Sequence, residues 1–260
     1  MLVEDSSSLN VSIILTRGKR GFYTNRVFFL HFPPSRLVHK KKDYYFKNMI
    51  IKTIIQTSYK GMYKITAQIP ENNSTTTFYA RKEYAPEFDF DFMSAEDYFD
   101  QNQTNTLLDA GLAAAVELKA LEYIARAEQS RFGLSRKLIE KKYDKKYINM
   151  ALDYLESVNF LSDQRFSKAW LNGRKINHFE GKSKLLAELQ SRGISKENAL
   201  TALEEFFNDN DEYEICKKAY QKFTRKGKHE DKLINAMLQA GFSYSMIKKA
   251  ACNIAEENQD

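Results

Sequence analysis

The sequence is poor in proline and glycine, with four and ten copies respectively in 260 residues. Proline and glycine interrupt regular structure, so their scarcity argues against a loop-rich or fibrous chain. The 43% apolar content is enough for a folded core, and 28% of the residues are charged. We therefore expect a helix-rich soluble protein of one large domain or two small ones.

Cysteine and long apolar runs are also nearly absent. The two cysteines, Cys216 and Cys252, lie inside helical patterns, and we interpret both as small buried thiols rather than a disulfide or metal pair. No run approaches the roughly eighteen apolar residues of a membrane span. The first residues lack a basic segment followed by an apolar one, so we expect no secretion signal. These features predict a cytoplasmic protein without a membrane association.

The excess of positive charge is small, +6 from 40 basic and 34 acidic residues. It permits a nucleic-acid or acidic-protein partner without requiring one. Residues 1–48 carry nine Lys or Arg against three acidic residues and sustain no periodicity. They form either a basic arm that reaches a nucleic-acid backbone or, as we favour, a disordered leader that precedes the natural start at Met49.

A small β module is predicted for residues 49–106. An isoleucine-rich run follows Met49, residues 62–69 alternate apolar and polar, and residues 74–80 are rich in threonine. Turn residues separate these runs, so we predict an antiparallel sheet of about three strands.

Residues 83–109 are acidic and aromatic. Ser94 followed by Asp97 indicates the start of a short helix. The aromatic side chains are expected to pack between the sheet and the helices; a surface that mimics DNA or docks on a basic partner is the alternative.

Helical periodicity begins near Leu107, with a first helix expected to end at about Gln129. From there a pattern occurs three times. Each copy contains a helix-capping residue, an apolar residue one position before the cap, and a leucine ten positions before the cap. The caps are Asp144, Ser195 and Ser243; the apolar residues Tyr143, Ile194 and Phe242; the leucines Leu134, Leu185 and Leu233. Gly193 and Gly241 precede the last two caps by two positions, where Lys142 stands in the first copy. This spacing predicts three tandem three-helix repeats, residues 107–160, 161–207 and 208–257, which form an elongated curved rod.

The second repeat carries the most distinctive motifs. They are Phe160 to Asp163, Arg165, Phe166, Trp170, Arg174, Gly181, Leu185, Glu188, Leu189 and Arg192 to Ile194; the first repeat adds Glu128 to Arg131 and Leu134 to Leu138. With these residues the chain resembles the RecX family of bacterial regulatory proteins, and the resemblance covers about 150 C-terminal residues. The third repeat matches more weakly, and residues 1–48 have no counterpart.

The resemblance implies a monomeric regulator of homologous recombination, DNA repair and the SOS response. Such a protein would bind RecA, or the RecA filament on single-stranded DNA, and inhibit or tune filament extension, strand exchange, ATP hydrolysis and coprotease activity, with weak direct DNA contact possible. The predicted contact residues are basic: Arg131, Arg136, Lys137, Arg165, Lys168, Arg174, Lys175, Lys182 and Arg192. We expect Phe160, Phe166 and Trp170 to form the repeat core and to position these cations.

Enzymatic chemistry is not indicated. The triplet Gly181, Lys182 and Ser183 ends like a phosphate-binding loop, but Ile176 replaces the required first glycine. The four histidines show no metal-ligand spacing, and no nucleophile lies near a base in sequence. We therefore predict no catalytic residue, cofactor or metal. The alternative function is direct DNA binding in a helix-turn-helix manner, with the third helix of each repeat in a groove.

Overall fold

The computed structural model describes residues 48–257, where a four-stranded sheet precedes nine helices. The strands are β1 (Met49–Gln56), β2 (Met62–Ile69), β3 (Ser74–Arg81) and β4 (Tyr98–Phe99). The helices are α1 (Gln101–Ile124), α2 (Arg131–Glu140), α3 (Lys145–Ser157), α4 (Asp163–Asn177), α5 (Lys182–Ser191), α6 (Lys196–Asp209), α7 (Glu212–Arg225), α8 (Glu230–Gln239) and α9 (Tyr244–Glu257). The predicted leader, except for its last residue, lies outside the described residues. A mostly helical chain with a preceding β module is thereby confirmed.

The sheet is antiparallel throughout, in the order β3-β2-β1-β4. The alternation predicted for β2 is confirmed, since Tyr63 and Ile65 are buried and Lys64 is exposed. The fourth strand was not predicted: Tyr98 and Phe99 pair with Ile50 and Met49 of β1. A strand of two residues is too short to give a periodic signal.

The acidic segment before α1 forms turns rather than the predicted short helix. The Ser94 hydroxyl donates a hydrogen bond to the Asp97 carboxylate, 3.0 Å away, and the chain then enters β4. The first helix starts six residues earlier than predicted, because Asp100 and Gln103 form a reciprocal capping box at its N-terminus. The helix-start prediction at Ser94 was therefore wrong, and the signal belongs to Asp100.

The aromatic side chains of this segment divide between core and surface. Phe90 and Phe99 are buried against the sheet, and the ring of Phe90 stacks on that of Tyr63 at 5.1 Å. Phe92 is 85% exposed and Tyr98 is 60% exposed. The expectation that the aromatics pack in the core is confirmed for these two and for Tyr84 and Phe88, and it is wrong for Phe92 and Tyr98.

A buried ion pair joins β3 to α1. The Arg81 Nη2 donates to Glu117 Oε1 at 2.5 Å, and both side chains are almost fully buried. Tyr84 also donates to Glu117, at 2.9 Å, and the Arg81 guanidinium lies 4.2 Å from the centre of the Tyr154 ring. Burial alone lowers the pKa of Arg81, but the hydrogen bond to Glu117 and the negative charge of that carboxylate, with smaller contributions from Tyr154 and Tyr84, together outweigh it and raise the pKa. No sequence pattern predicted this pair.

The described residues divide into two compact units, and the division falls within α2. One unit contains residues 48–127 and 137–157, the other residues 128–136 and 158–257. In the first, the sheet packs with α1 and α3 around Met49, Ile51, Leu107 and Ala110. In the second, one core surrounds Leu189 between α4, α5 and α6, and another surrounds Met237 between α7, α8 and α9. The domain boundaries and the curved rod predicted from sequence remain predictions.

The predicted caps of the third helices are confirmed. Asp144, Ser195 and Ser243 each accept a hydrogen bond from a backbone N–H in the first turn of α3, α6 and α9, at 2.8, 3.2 and 3.3 Å. Gly193 and Gly241 adopt φ values of +82° and +94° before these helices. Lys142, the residue at the same place in the first copy, has φ +68°. A lysine there carries the steric strain that a glycine avoids.

Two expectations about single residues were wrong. Cys216 is buried, and burial raises the pKa of its thiol to about 11, but Cys252 is exposed. Phe160, expected in the core, is 56% exposed because it lies in the connection between α3 and α4. Phe166 and Trp170 do pack against the core of the second repeat.

Candidate partner-binding surface

A contact between helix ends occurs twice in the second unit and positions the candidate surface. We call this contact the joint. The Ser130 hydroxyl, before α2, donates to the Arg192 carbonyl at the end of α5, at 3.0 Å. One repeat later, the Gly181 N–H, before α5, donates to the Ala240 carbonyl at the end of α8, at 2.9 Å. The start of the second helix in one repeat therefore binds the end of the second helix in the next. This tertiary contact follows the same period as the sequence repeat.

Each joint also supplies an acidic cap from the following repeat. The first N–H of α2, on Arg131, donates to Asp163 at 2.8 Å, and the first N–H of α5, on Lys182, donates to Glu212 at 2.8 Å. Asp163 and Glu212 are the first residues of α4 and α7. A carboxylate stabilises a helix N-terminus because it satisfies a free N–H and opposes the helix dipole. The joints thus fix α2 and α5 at the ends where predicted cations lie.

Trp170 lies between two of the predicted arginines. The guanidinium carbon of Arg192 is 4.6 Å from the centre of the Trp170 ring, and that of Arg174 is 5.5 Å away. Trp170 and Arg174 are four residues apart on α4, on one helical face, whereas Arg192 arrives from the end of α5. Such cation–π contacts contribute about 0.5–1 kcal/mol each at exposed sites.

Phe132 and Arg136 extend this arrangement along α2. The guanidinium carbon of Arg136 lies 5.9 Å from the centre of the Phe132 ring, which is 47% exposed. Phe132 packs against Gly193, where an added Cβ would lie 2.2 Å from the Cβ of Phe132. Since Gly193 follows Arg192, the two aromatic and arginine clusters are neighbours. We call Phe132, Arg136, Trp170, Arg174 and Arg192 the arginine–aromatic surface.

A buried carboxylate holds one arginine of this surface in place. Glu180 is 6% exposed and accepts hydrogen bonds from Arg174 Nε at 2.6 Å and Nη2 at 3.0 Å. It also forms an ion pair with Lys184 at 2.8 Å. Burial alone raises the pKa of Glu180, but the hydrogen bonds and the positive charges of Arg174 and Lys184 together outweigh it and lower the pKa to about 2. Glu180 is therefore charged at neutral pH and orients the Arg174 guanidinium beside Trp170.

Other predicted contact residues are engaged within the protein. Arg165 donates to Glu128 at 2.9 Å and to Asn159 at 2.6 Å, so its guanidinium ties the start of α4 to neighbouring loops. Lys168 pairs with Glu205 at 2.7 Å, with both side chains about half exposed. Each cation can reach a partner only by sharing or exchanging its carboxylate.

The remaining predicted cations lie at helix ends and on outer faces. Arg131 begins α2 and is half-buried, Lys175 is exposed in the last turn of α4, and Lys182 begins α5. Lys137 belongs to the first unit, where its Nζ lies 5.5 Å from the centre of the Tyr123 ring.

Sequence reasoning selected the arginines but not their neighbours. It missed Phe132 and Glu180, and it assigned Trp170 to the core as a residue that positions the arginines. The four-residue spacing of Trp170 and Arg174 was a usable signal in the sequence. The approach of Arg192 depends on tertiary packing, and no sequence pattern predicts it.

Within residues 48–257, no group of three His, Cys, Asp or Glu side chains could hold a metal ion. His178 and His229 are exposed, and Gly181 caps α5 after a helix and loop rather than a strand. No helix among these residues is long and apolar enough to cross a membrane.

The fold and the surface together define a helical-repeat protein with a partly exposed set of arginines and aromatic rings. A protein named Regulatory protein RecX from Herminiimonas arsenicoxydans is 32% identical over 158 residues, which cover 58% of this chain and 99% of the relative. A second Regulatory protein RecX, from Treponema pallidum (strain Nichols), is 31% identical over 133 residues, 51% of this chain and 81% of the relative. The chain belongs to the RecX family of regulatory proteins.

A solved structure supports the fold. The crystal structure of a regulatory protein RecX matches with a TM-score of 0.60 at 19% identity, covering 77% of this chain and 99% of the other. No sequence-family profile matches the chain. The resemblance and the fold class predicted from sequence are thereby confirmed.

Proposed function

We propose that this protein binds the RecA recombinase as a filament on single-stranded DNA and inhibits filament extension, strand exchange, ATP hydrolysis and coprotease activity. The observation that carries the proposal is the arginine–aromatic surface, with Trp170 between Arg174 and Arg192. Arginine and tryptophan are among the residues most often responsible for binding energy at protein interfaces. The family membership supports a regulatory role.

The mechanism follows from repetition of weak contacts. Because consecutive repeats use the same joint, they present equivalent helix ends at a regular spacing. A filament also presents equivalent subunits at a regular spacing. Several modest contacts to successive subunits combine through effective concentration, so binding does not require a deep pocket. A protein bound across subunits would oppose their addition and rearrangement, which ATP hydrolysis and strand exchange require.

Direct DNA binding by helix-turn-helix units is less well supported. The third helices α3, α6 and α9 would have to present basic first turns to a groove. Only α3 begins with two lysines, and Lys146 is already paired with Asp109. The first turns of α6 and α9 contain Lys196 with Glu197 and Tyr244 with Ser245.

The test is RecA-catalysed ATP hydrolysis on single-stranded DNA with this protein at substoichiometric concentration. We expect the rate to fall, and the variants Arg136→Ala and Arg192→Ala to need about tenfold more protein for the same effect. Arg225→Ala, an exposed arginine at the end of α7, is the matched control and should act like the unmodified chain. An unchanged hydrolysis rate at concentrations where the protein itself binds DNA would favour the helix-turn-helix alternative.

A further inference from the structure

Strand β3 is the outermost strand on one side of the sheet. Its residues Ser74–Arg81 pair with β2 through an uninterrupted register, from Ile69 opposite Ser74 to Met62 opposite Arg81. Among residues 48–257, no strand pairs with its other side.

The backbone groups on that open side can be identified from the hydrogen-bond pattern. The Lys82 N–H donates to the Gly61 carbonyl at 3.0 Å, at the end of the β2–β3 pairing. Because alternate residues of an antiparallel strand bond to the same neighbour, Thr76 and Phe78 also point their backbone groups at β2. Thr75 and Thr77 therefore direct their N–H and C=O groups to the outer edge.

The usual protections of an edge strand are missing at this position. Natural edges carry charged residues, proline or a bulge that prevents pairing with another chain. Residues 74–80 have no charge and no proline, and their register with β2 has no bulge. Among the described residues, helix α1 approaches this edge near Tyr79, where an added Cβ on Gly111 would lie 3.4 Å from the Tyr79 carbonyl oxygen. The side chains of Thr75 and Thr77 are exposed.

We propose that β3 pairs with β3 of a second copy of this chain, antiparallel and about a two-fold axis at Thr76. Thr75 of each copy then lies opposite Thr77 of the other. In this register the N–H and C=O groups of Thr75 and Thr77, four on each strand, all find partners. The two sheets become one continuous sheet.

A second copy fits this edge better than an unrelated strand because the register is self-complementary. Symmetric pairing needs the same patch on both subunits, and a stretch centred on Thr76 provides it. No like charges face each other, and opposed threonines are favourable cross-strand pairs. The contact is small for a protein interface, so the dimer is reversible and forms with rising concentration. The monomer expected from sequence is the dilute form.

The test is sedimentation velocity of the full chain from about 1 μM to about 1 mM, a range that spans weak affinities. We expect the average sedimentation coefficient to rise with concentration. Thr75→Pro should weaken association at least tenfold, because it removes an outward N–H that β2 does not use. Gln56→Pro is the matched control, at the end of β1 beyond the residues that pair with β4. Thr57 donates to Met62 on β2, so the Gln56 N–H also points away from β2, and this variant should associate like the unmodified chain.

Three outcomes would overturn the proposal. In the first, the unmodified chain remains monomeric over the whole concentration range. In the second, Thr75→Pro associates as strongly as Gln56→Pro, which would place the contact away from β3. If Thr75→Pro loses its circular-dichroism spectrum, the double variant Thr75→Lys with Thr77→Lys replaces it. These exposed positions tolerate lysine, and the paired register would place the added charges opposite one another; unchanged association of that variant would also contradict the proposal.

Discussion

Arg192 covers one side of the Trp170 ring and is held there by its own helix, since its Nη1 donates to the Glu188 carbonyl and carboxylate, both at 2.6 Å. Trp170 is the only tryptophan in the chain, so the tryptophan fluorescence reports on the surroundings of this one ring. We predict that Arg192→Ala shifts the emission to longer wavelength, because the ring becomes more exposed to water. Arg225→Ala should leave the spectrum unchanged. An unshifted Arg192→Ala spectrum would mean that the arginine does not cover the ring in solution.

Two glycines of the second repeat should respond oppositely to alanine. A Cβ on Gly181 would lie 2.4 Å from the Gly241 carbonyl oxygen, so Gly181→Ala must displace backbone at the joint and should cost about 2 kcal/mol or more. Gly173 lies inside α4 with nothing within 4 Å of an added Cβ, and Gly173→Ala should stabilise by about 0.5–1 kcal/mol. Urea denaturation measures both. Equal effects would contradict the close approach of Gly181 to Gly241.

Much of this fold could be predicted from the sequence, but the joint at which Gly181 meets Gly241 could not. Helix caps such as Ser195 and Ser243 are local, because a side chain and a nearby N–H decide them, and they were predicted correctly. The contact between Gly181 and Gly241 joins two repeats, and no local pattern encodes it. The same limit explains why Glu180 was missed: a lone glutamate after a histidine and a phenylalanine gives no sign that two cations will bury it.

Acid should weaken the second unit through Glu180. Its folded-state pKa of about 2 lies below the ordinary glutamate value of about 4.3, so this carboxylate stabilises the fold above that ordinary pKa. The stabilisation is lost as the pH falls from about 4.3 towards 2. Glu180→Gln removes this dependence and, at neutral pH, should cost about 2 kcal/mol because Arg174 loses its partner. Urea denaturation at several pH values checks both. A variant with the same acid sensitivity as the unmodified chain would exclude Glu180 as the cause.

The pair Arg81 and Glu117 should be costly to break but replaceable. Arg81→Met or Glu117→Met alone leaves a buried charge without its partner, and each should destabilise the first unit by about 3–5 kcal/mol. The double variant removes both charges and should recover most of that loss. Thermal unfolding of the three variants forms the test. A double variant less stable than either single one would show that the charges contribute net stability.

Lys142 offers a stabilising substitution that the other repeats already contain. With φ at +68°, it occupies the conformation that Gly193 and Gly241 occupy in the following copies. Lys142→Gly should therefore stabilise the folded protein by about 0.5–1 kcal/mol. The substitution relieves the strain of the left-handed conformation, and the greater flexibility of glycine in the unfolded chain offsets part of that gain. Lys141→Gly, next to it and without positive φ, should be neutral or destabilising. Equal destabilisation by the two would mean that Lys142 is not strained.

The acidic caps at the joints make each of the first two repeats depend on the repeat that follows it in the sequence. Asp163 completes α2 from the following repeat, and Glu212 does the same for α5, so each repeat finishes a helix that began in the one before it. Helix α8 instead has Glu230 and Asp231 in its own first turn. Shortening the chain from the C-terminal side would therefore expose an unfinished helix end in the repeat that remains. The smallest unit that keeps its hydrogen bonds is larger than the unit that repeats in the sequence.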